Sequence, residues 1–181
     1  MSTGPAWLAG AFAVVMLGIA LHCTGRLVTA RRSGRCDEPD VDAVHVGMGV
    51  AMAGMLAPSA NPLAGHAWDL GWTLFFGLAA CWFGVRLLVA LIEGRGFGSA
   101  PAHLVSSGVM LYMMSAAPST MAGMAGMDMT VTTPVLTLAL LGAIAGFAVL
   151  AMDRVLAAPR LADCGHIAMS VTMGYMLLLM L

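Results

Sequence analysis

The fold follows from one pattern that occurs three times: HVGMGVAMAGM at 45–55, HLVSSGVMLYM at 103–113 and HIAMSVTMGYM at 166–176. Each copy starts with histidine and has methionine seven and ten residues later, and two copies also have methionine three residues after the histidine. At 100° per residue, these offsets fall within about 80° of arc on one side of a helix. Each copy therefore predicts a helix with a single stripe of histidine and methionine.

A longer apolar stretch precedes each copy, so the repeated unit is predicted to be a helical hairpin of about 60 residues. The three units cover 7–57, 68–117 and 134–181, and a methionine-rich loop at 118–133 joins the second unit to the third. Three parallel copies of one helix favour a pseudo-threefold arrangement about the membrane normal, with helices 2, 4 and 6 at the centre. We expect one membrane domain.

Composition predicts that the helices lie in lipid. Hydrophobic residues make up 60% of the 181 residues and charged residues 9%, with a mean hydropathy of +0.92, whereas soluble domains carry about 25% charged residues. The fold class is predicted as all-α integral membrane, with six transmembrane helices. The predicted spans are 7–30, 41–57, 68–92, 102–117, 134–157 and 164–181.

The basic residues predict the orientation of these helices. All eight are arginines, and all lie in or beside the links that follow helices 1, 3 and 5: Arg26, Arg31, Arg32, Arg35, Arg86, Arg95, Arg154 and Arg160. The positive-inside rule places these links in the cytoplasm, and both termini outside a plasma membrane. Nothing positive precedes the first apolar run, so we expect no cleaved signal peptide. No basic run is long enough to follow phosphates, which argues against a nucleic-acid partner.

If the three stripes converge, they form layers of donor atoms across the bundle. The layers, from the cytoplasm outward, are His45, His103 and His166; Met48, Ser106 and Met169; Met52, Met110 and Met173; and Met55, Met113 and Met176. Methionine also fills gaps in ordinary cores, and duplication of a hairpin would copy such filler. The even helices nevertheless hold ten methionines and the odd helices two. The histidines either share a task within the bundle or lie at the interface with water.

The loop after helix 4 has methionine at nearly every third position, namely Met121, Met124, Met127 and Met129. Thioether sulfur is a soft neutral donor that favours Cu(I). The alternative is a loop that binds a partner or rests on the membrane. Asp128 and His66 are candidate additional ligands on the outer side.

Further candidate donors lie on the cytoplasmic side. They are the adjacent His22 and Cys23, and Cys164 two residues before His166. Asp42 and Asp163 each precede a histidine by three residues, and either orient that ring or act as helix N-caps. Cys81 is predicted to be an ordinary core residue, and no structural disulfide is expected.

With its size, its all-arginine basic charge and its striped helices, the chain resembles the actinobacterial membrane-protein family of unknown function DUF5134, which implies no activity. The pairs Met48-x3-Met52 and Met169-x3-Met173 are similar to the MxxxM motif of the Ctr copper-uptake transporters. Those proteins form a methionine-lined pore by trimerising three-helix subunits. The similarity is limited to the motif, so convergence is the natural interpretation.

These patterns predict a copper(I)-handling membrane protein that binds, sequesters or translocates the ion, with Cu(I) as its ligand. Its expected partners are lipid and proteins that deliver or accept copper. One alternative is a membrane redox protein with haem between helices, whose axial ligands are histidine paired with histidine or methionine. Another is a non-catalytic module that assembles with partners through the close-approach motif Gly142-x3-Gly146. The sequence has no hydrolase or P-loop motif, so no enzyme is expected.

Overall fold

The computed structural model describes residues 5–33, 38–58, 65–116, 134–157 and 161–179, and within these ranges the chain is helical without strands. The six helices begin and end within three residues of the predicted spans. They are α1 (Ala6–Ser33), α2 (Pro39–Leu56), α3 (His66–Ile92), α4 (Ala100–Ala116), α5 (Pro134–Ala157) and α6 (Leu161–Leu179).

Each odd-numbered helix packs most extensively against the helix that follows it: α1 against α2, α3 against α4, and α5 against α6. The pairs meet one another through smaller contacts between α2 and α3, α4 and α5, and α6 and α1. Because α6 returns to α1, the three pairs close into a ring. This closure places the striped faces of α2, α4 and α6 near one another.

Three of the six helices are long and apolar enough to cross a membrane, namely Ala6–Arg32, Trp68–Ile92 and Pro134–Asp153. These stretches of α1, α3 and α5 turn large apolar side chains such as Leu21 and Leu78 outward. An outer surface of this kind suits lipid. The even-numbered helices are shorter, with 18, 17 and 19 residues in α2, α4 and α6.

The start of α2 decides between the two roles predicted for Asp42. The helix begins at Pro39 with Glu38 as its N-cap, two residues before the predicted span. Proline suits a first helical position because its missing N–H has no partner there in any case. Asp42 therefore lies inside the helix, so its assignment as an N-cap is wrong.

Glycine lets α2 lie directly on the backbone of α1. A Cβ atom placed on Gly49 would lie 2.7 Å from the backbone oxygen of Met16, and a Cβ on Gly47 would meet the ring of Phe75. A phenyl ring can rotate away, whereas a backbone carbonyl in a helix cannot. Gly49 therefore fixes the distance between α1 and α2.

Substitution of Gly49→Ala is expected to destabilise the protein by about 1–3 kcal/mol, because the added methyl group pushes α2 away from α1. Thermal unfolding in detergent, followed by circular dichroism, measures this change. Gly108→Ala on α4 is the matched control, since its Cβ has open space, and it should keep wild-type stability or gain slightly. Equal stability of both variants would contradict the close packing of α1 on α2.

Candidate metal centre

The three histidines of the repeat come together in the interior. The distances between ring centroids are 5.0 Å for His45 and His103, 4.6 Å for His45 and His166, and 5.1 Å for His103 and His166. One ligand nitrogen from each ring lies within 4.8 Å of those of the other two. His45 and His103 are buried and His166 is partly buried. Three converging imidazoles at this spacing can hold one metal ion.

One hydrogen bond defines how His103 faces this cluster. Its Nδ1 lies 2.9 Å from the backbone oxygen of Ser99, and because a carbonyl only accepts, Nδ1 carries the hydrogen. In a neutral ring the lone pair is then on Nε2, which lies 3.2 Å from Nε2 of His45. Metal-binding histidines commonly have this arrangement, in which the outer nitrogen donates to a carbonyl and the inner one is available for the ion.

A charged network holds the segment that contains Ser99. The Ser99 hydroxyl donates to the Glu38 carboxylate at 3.3 Å, and Arg86 donates to Glu38 at 3.2 Å and to Asp40 at 2.6 Å. Trp82 also donates to Asp40, at 2.8 Å. The network ties the start of α2 to α3 and to the segment before α4. It therefore positions the carbonyl that orients His103.

Asp40 lies just before the predicted span of α2. Partial burial raises the pKa of its carboxyl group, but the hydrogen bond from Trp82 and the positive charge of Arg86 outweigh this effect. The pKa of Asp40 therefore lies below its usual value. A carboxylate that stays ionised keeps the network intact near neutral pH.

The predicted cytoplasmic donors separate into buried and exposed residues. Cys23 and Asp42 are 5% and 4% exposed, and their ligand atoms lie within 4.8 Å of each other and of a His45 nitrogen. His22 and Cys164 are exposed and are not part of this group. Cys81 is also exposed, so its prediction as a core residue is wrong. The side chain of Asp163 lies outside the described residues, but α6 begins at Leu161, so the assignment of Asp163 as an N-cap is also wrong.

Most methionines of the stripe face the interior, as the pattern predicts. Met52, Met110 and Met173, which form one complete predicted layer, are at most 1% exposed. The other buried members of the stripe are Met48, Met113, Met169 and Met176. All seven belong to one core cluster. Met16 on α1 is also completely buried there, although the repeat gave no reason to select it.

Met55 differs from the rest of the stripe. It is 36% exposed, whereas Met113 and Met176 of the same predicted layer are buried. The reason is its place in the last turn of α2, which ends one residue later at Leu56. The loop methionines Met121, Met124, Met127 and Met129, together with Asp128, lie outside the described residues, as does the side chain of His66.

A cavity of about 210 Å³ reaches the cluster between α4, α5 and α6. His166, Ser99, Ser106 and Ser170 contribute to its lining. Ser106 is the residue that replaces the repeat's methionine, and the shorter side chain leaves space beside His166. The single departure from the repeat in this layer therefore coincides with a mostly apolar cavity that His166 also lines.

Substitution of Ser106→Met is expected to fill part of this cavity and to slow chemical modification of His166 several-fold. The measurement is the rate at which diethyl pyrocarbonate modifies each histidine, read by mass spectrometry. The exposed His22 serves as an internal reference, and Ser115→Met at the other end of α4 is the matched control. Unchanged modification of His166 would mean that the cavity is not its route of access.

Comparison with known proteins shows to which family the chain belongs. The model of the family described as "Domain of unknown function (DUF5134)" matches residues 37–180, which is most of the chain. The chain belongs to the DUF5134 family. No curated protein and no solved structure matches it, so the motif-level similarity to Ctr transporters gains no support.

Sequence reasoning missed two polar features of this DUF5134 chain. One is the proximity of Cys23 to Asp42. Nothing in the sequence shows that Cys23, and not its neighbour His22, faces the interior. The other is the Ser107 hydroxyl, which is completely buried and has no hydrogen-bond partner among the described residues. It lies one helical turn from His103, on the same side of α4. A buried hydroxyl without a partner is energetically costly, so Ser107 is an unsatisfied polar group within the core.

Proposed function

We propose that this protein is a copper(I)-handling membrane protein that binds the ion between histidine and methionine side chains and passes or stores it within the bundle. In this proposal all six helices cross the plasma membrane as three repeated hairpins around a pseudo-threefold axis, with helices 2, 4 and 6 central. The arginine-bearing links face the cytoplasm and both termini lie outside. The protein is not an enzyme.

The observation that carries the proposal is the convergence of His45, His103 and His166. A polar ionisable side chain within a membrane helix is costly and usually faces a partner or a pathway. Here three such rings from three helices contact one another, with the Nε2 lone pair of His103 directed at His45. Packing alone gives no reason for three imidazoles to occupy one layer of an apolar core.

The buried methionines favour Cu(I) as the metal. Three imidazoles alone suit Zn(II) as well, so the histidines do not select the ion. Thioether sulfur does, because it is a soft neutral donor and Cu(I) is a softer ion than the borderline Zn(II). Seven buried methionines on the same stripes as the histidines make the interior a sulfur-rich environment that suits Cu(I) better than Zn(II).

The spacing of the layers suits stepwise movement of an ion. At 1.5 Å per residue, the methionine layers lie about 4.5, 10.5 and 15 Å from the histidine layer along the helix axis. Neighbouring layers are thus about 4–6 Å apart, so an ion can gain a donor of one layer before it loses the last donor of another. The outer methionine loop would collect Cu(I), and copper-delivering or copper-accepting proteins would exchange it at either end.

Haem is less compatible with this arrangement. A haem with two axial histidines lies between their rings and keeps them on opposite faces of the porphyrin. The three rings here are 4.6–5.1 Å apart between centroids, so a porphyrin would fit between them only if the helices separated. The geometry therefore favours a single metal ion.

Assembly with a partner remains a second candidate because α5 has an open glycine face. Gly142 and Gly146 are exposed, and a Cβ on either would have no neighbour within 4 Å. Among the residues that the structure describes, the motif therefore takes no part in packing. A partner helix in the membrane would suit such a face.

A competition titration tests the copper proposal. Purified protein in detergent should withdraw Cu(I) from a chromogenic Cu(I) chelator, and Zn(II) in excess should not displace the bound copper. Metal analysis of protein purified without added metal gives the native occupancy. Failure to compete with even a weak chelator would reject the proposal.

A further inference from the structure

We infer that Cys23 provides a second Cu(I) position beside the histidine cluster, which it forms with His45 and with Asp42 as the neighbouring carboxylate. This inference rests on the proposed copper function and refines it. It adds a thiolate donor at a defined place on α1, a helix that lies outside the repeated stripe.

The geometry of three buried groups supports this position. The Sγ atom of Cys23, a carboxylate oxygen of Asp42 and a ring nitrogen of His45 all lie within 4.8 Å of one another. All three residues are more than nine-tenths buried. They come from α1 and α2, the closely packed pair whose separation Gly49 fixes. A sulfur and an imidazole nitrogen at this spacing are typical ligands for a soft metal ion.

His45 belongs to both donor sets. It contacts the rings of His103 and His166, and one of its ring nitrogens lies within 4.8 Å of the ligand atoms of Cys23 and Asp42. An ion held by the three histidines can therefore move toward Cys23 while it remains bound to His45. Such ligand exchange makes the pair a position for handing over copper at the cytoplasmic side of the cluster.

Charge is balanced locally at this position. Arg26 Nε lies 3.4 Å from a carboxylate oxygen of Asp42, and the Arg26 side chain is about half exposed. When Cu(I) binds, the bond between Cys23 sulfur and its proton breaks, a sulfur–copper bond forms, and the proton leaves to water. One monovalent cation replaces another, and no electron is transferred. The net charge of the buried group therefore stays the same.

Thiolate-to-copper charge-transfer absorption in the ultraviolet distinguishes this position from the thioether and imidazole donors. Wild-type protein loaded with Cu(I) is expected to show this absorption, and Cys23→Ser is expected to reduce it to baseline. The matched controls are Cys81→Ser and Cys164→Ser, whose thiols are exposed. They should leave the absorption unchanged.

A second variant keeps Cys23 in place, and so tests the inference even if Cys23→Ser does not fold. With Cys36, Cys81 and Cys164 all changed to serine, the remaining thiol should still give the full absorption on loading with Cu(I). Loss of the band in this single-cysteine protein, or its persistence in Cys23→Ser, would overturn the inference.

The outcomes also separate this inference from the proposed function. Wild-type protein that binds Cu(I) without thiolate absorption would reject the Cys23 position and leave the histidine–methionine site intact. Protein that binds no Cu(I) at all would reject both.

Discussion

Substitution of His103→Ala is expected to weaken Cu(I) binding by more than about 100-fold. Removal of a group that only supports a metal ligand weakens binding by up to about 100-fold, and removal of the ligand itself should cost more. A hydrogen bond defines the orientation of His103, because Ser99 accepts the hydrogen on Nδ1 and leaves Nε2 facing His45. The substitution removes one of the three imidazole ligands, and this ring contacts both of the others. Competition titration against a Cu(I) chelator measures the change.

The control for this experiment is His22→Ala, which removes an exposed histidine outside the cluster and should leave the affinity unchanged. His103 is buried against the ring of Phe83, so alanine also leaves a cavity. His103→Asn keeps a polar side chain there and should lose copper to a similar degree. Size-exclusion chromatography and circular dichroism establish that both variants fold. Wild-type affinity in a folded His103 variant would contradict the site.

The second large effect is expected when Met52, Met110 and Met173 are all changed to leucine. Leucine has a similar volume and hydrophobicity, so each exchange should cost less than about 1.5 kcal/mol and the bundle should remain folded. The first layer with a methionine from all three helices, about 10.5 Å from the histidines along the helix axis, is then missing. Cells that express this variant are expected to lose the change in copper sensitivity that the wild-type protein produces.

Growth across a range of copper concentrations measures this effect, with expression levels matched by immunoblotting. Met152→Leu is the control, because this methionine lies on the exposed side of α5, and it should behave as wild type. A protein that only assembles with partners predicts no difference between the triple variant and wild type. Unchanged copper sensitivity would therefore favour that alternative.

The helices were predictable because their signals are local. Apolar length and arginine placement give six segments whose ends agree with the structure to within three residues. The start of α2 was less predictable. Proline breaks the interior of a helix and aspartate is unfavourable there, but Pro39 and Asp40 both suit the first turn.

The cluster of histidines was predictable because a repeat carries long-range information. Three helices that carry the same stripe are expected to turn it toward a common centre. His45, His103 and His166 accordingly meet in the interior. Met55 breaks this rule because it lies where its helix ends, and the sequence does not show how far the neighbouring helices extend over it.

The contribution of α1 was not predictable in the same way. Met16 and Cys23 are buried, but α1 is outside the stripe, and its apolar residues continue around the helix with few polar positions to mark the inner side. His22 and Cys23 are adjacent in sequence and differ by 100° around the helix. Only the packing of α1 on α2 shows that the cysteine faces inward.

The most direct test of the central claim is X-ray absorption at the copper edge on purified protein loaded with one equivalent of Cu(I). An ion held where the three helices converge should show both imidazole nitrogen and sulfur scattering. A spectrum without imidazole scattering, or no retention of copper above background, would contradict the claim that the histidine and methionine faces form a metal centre.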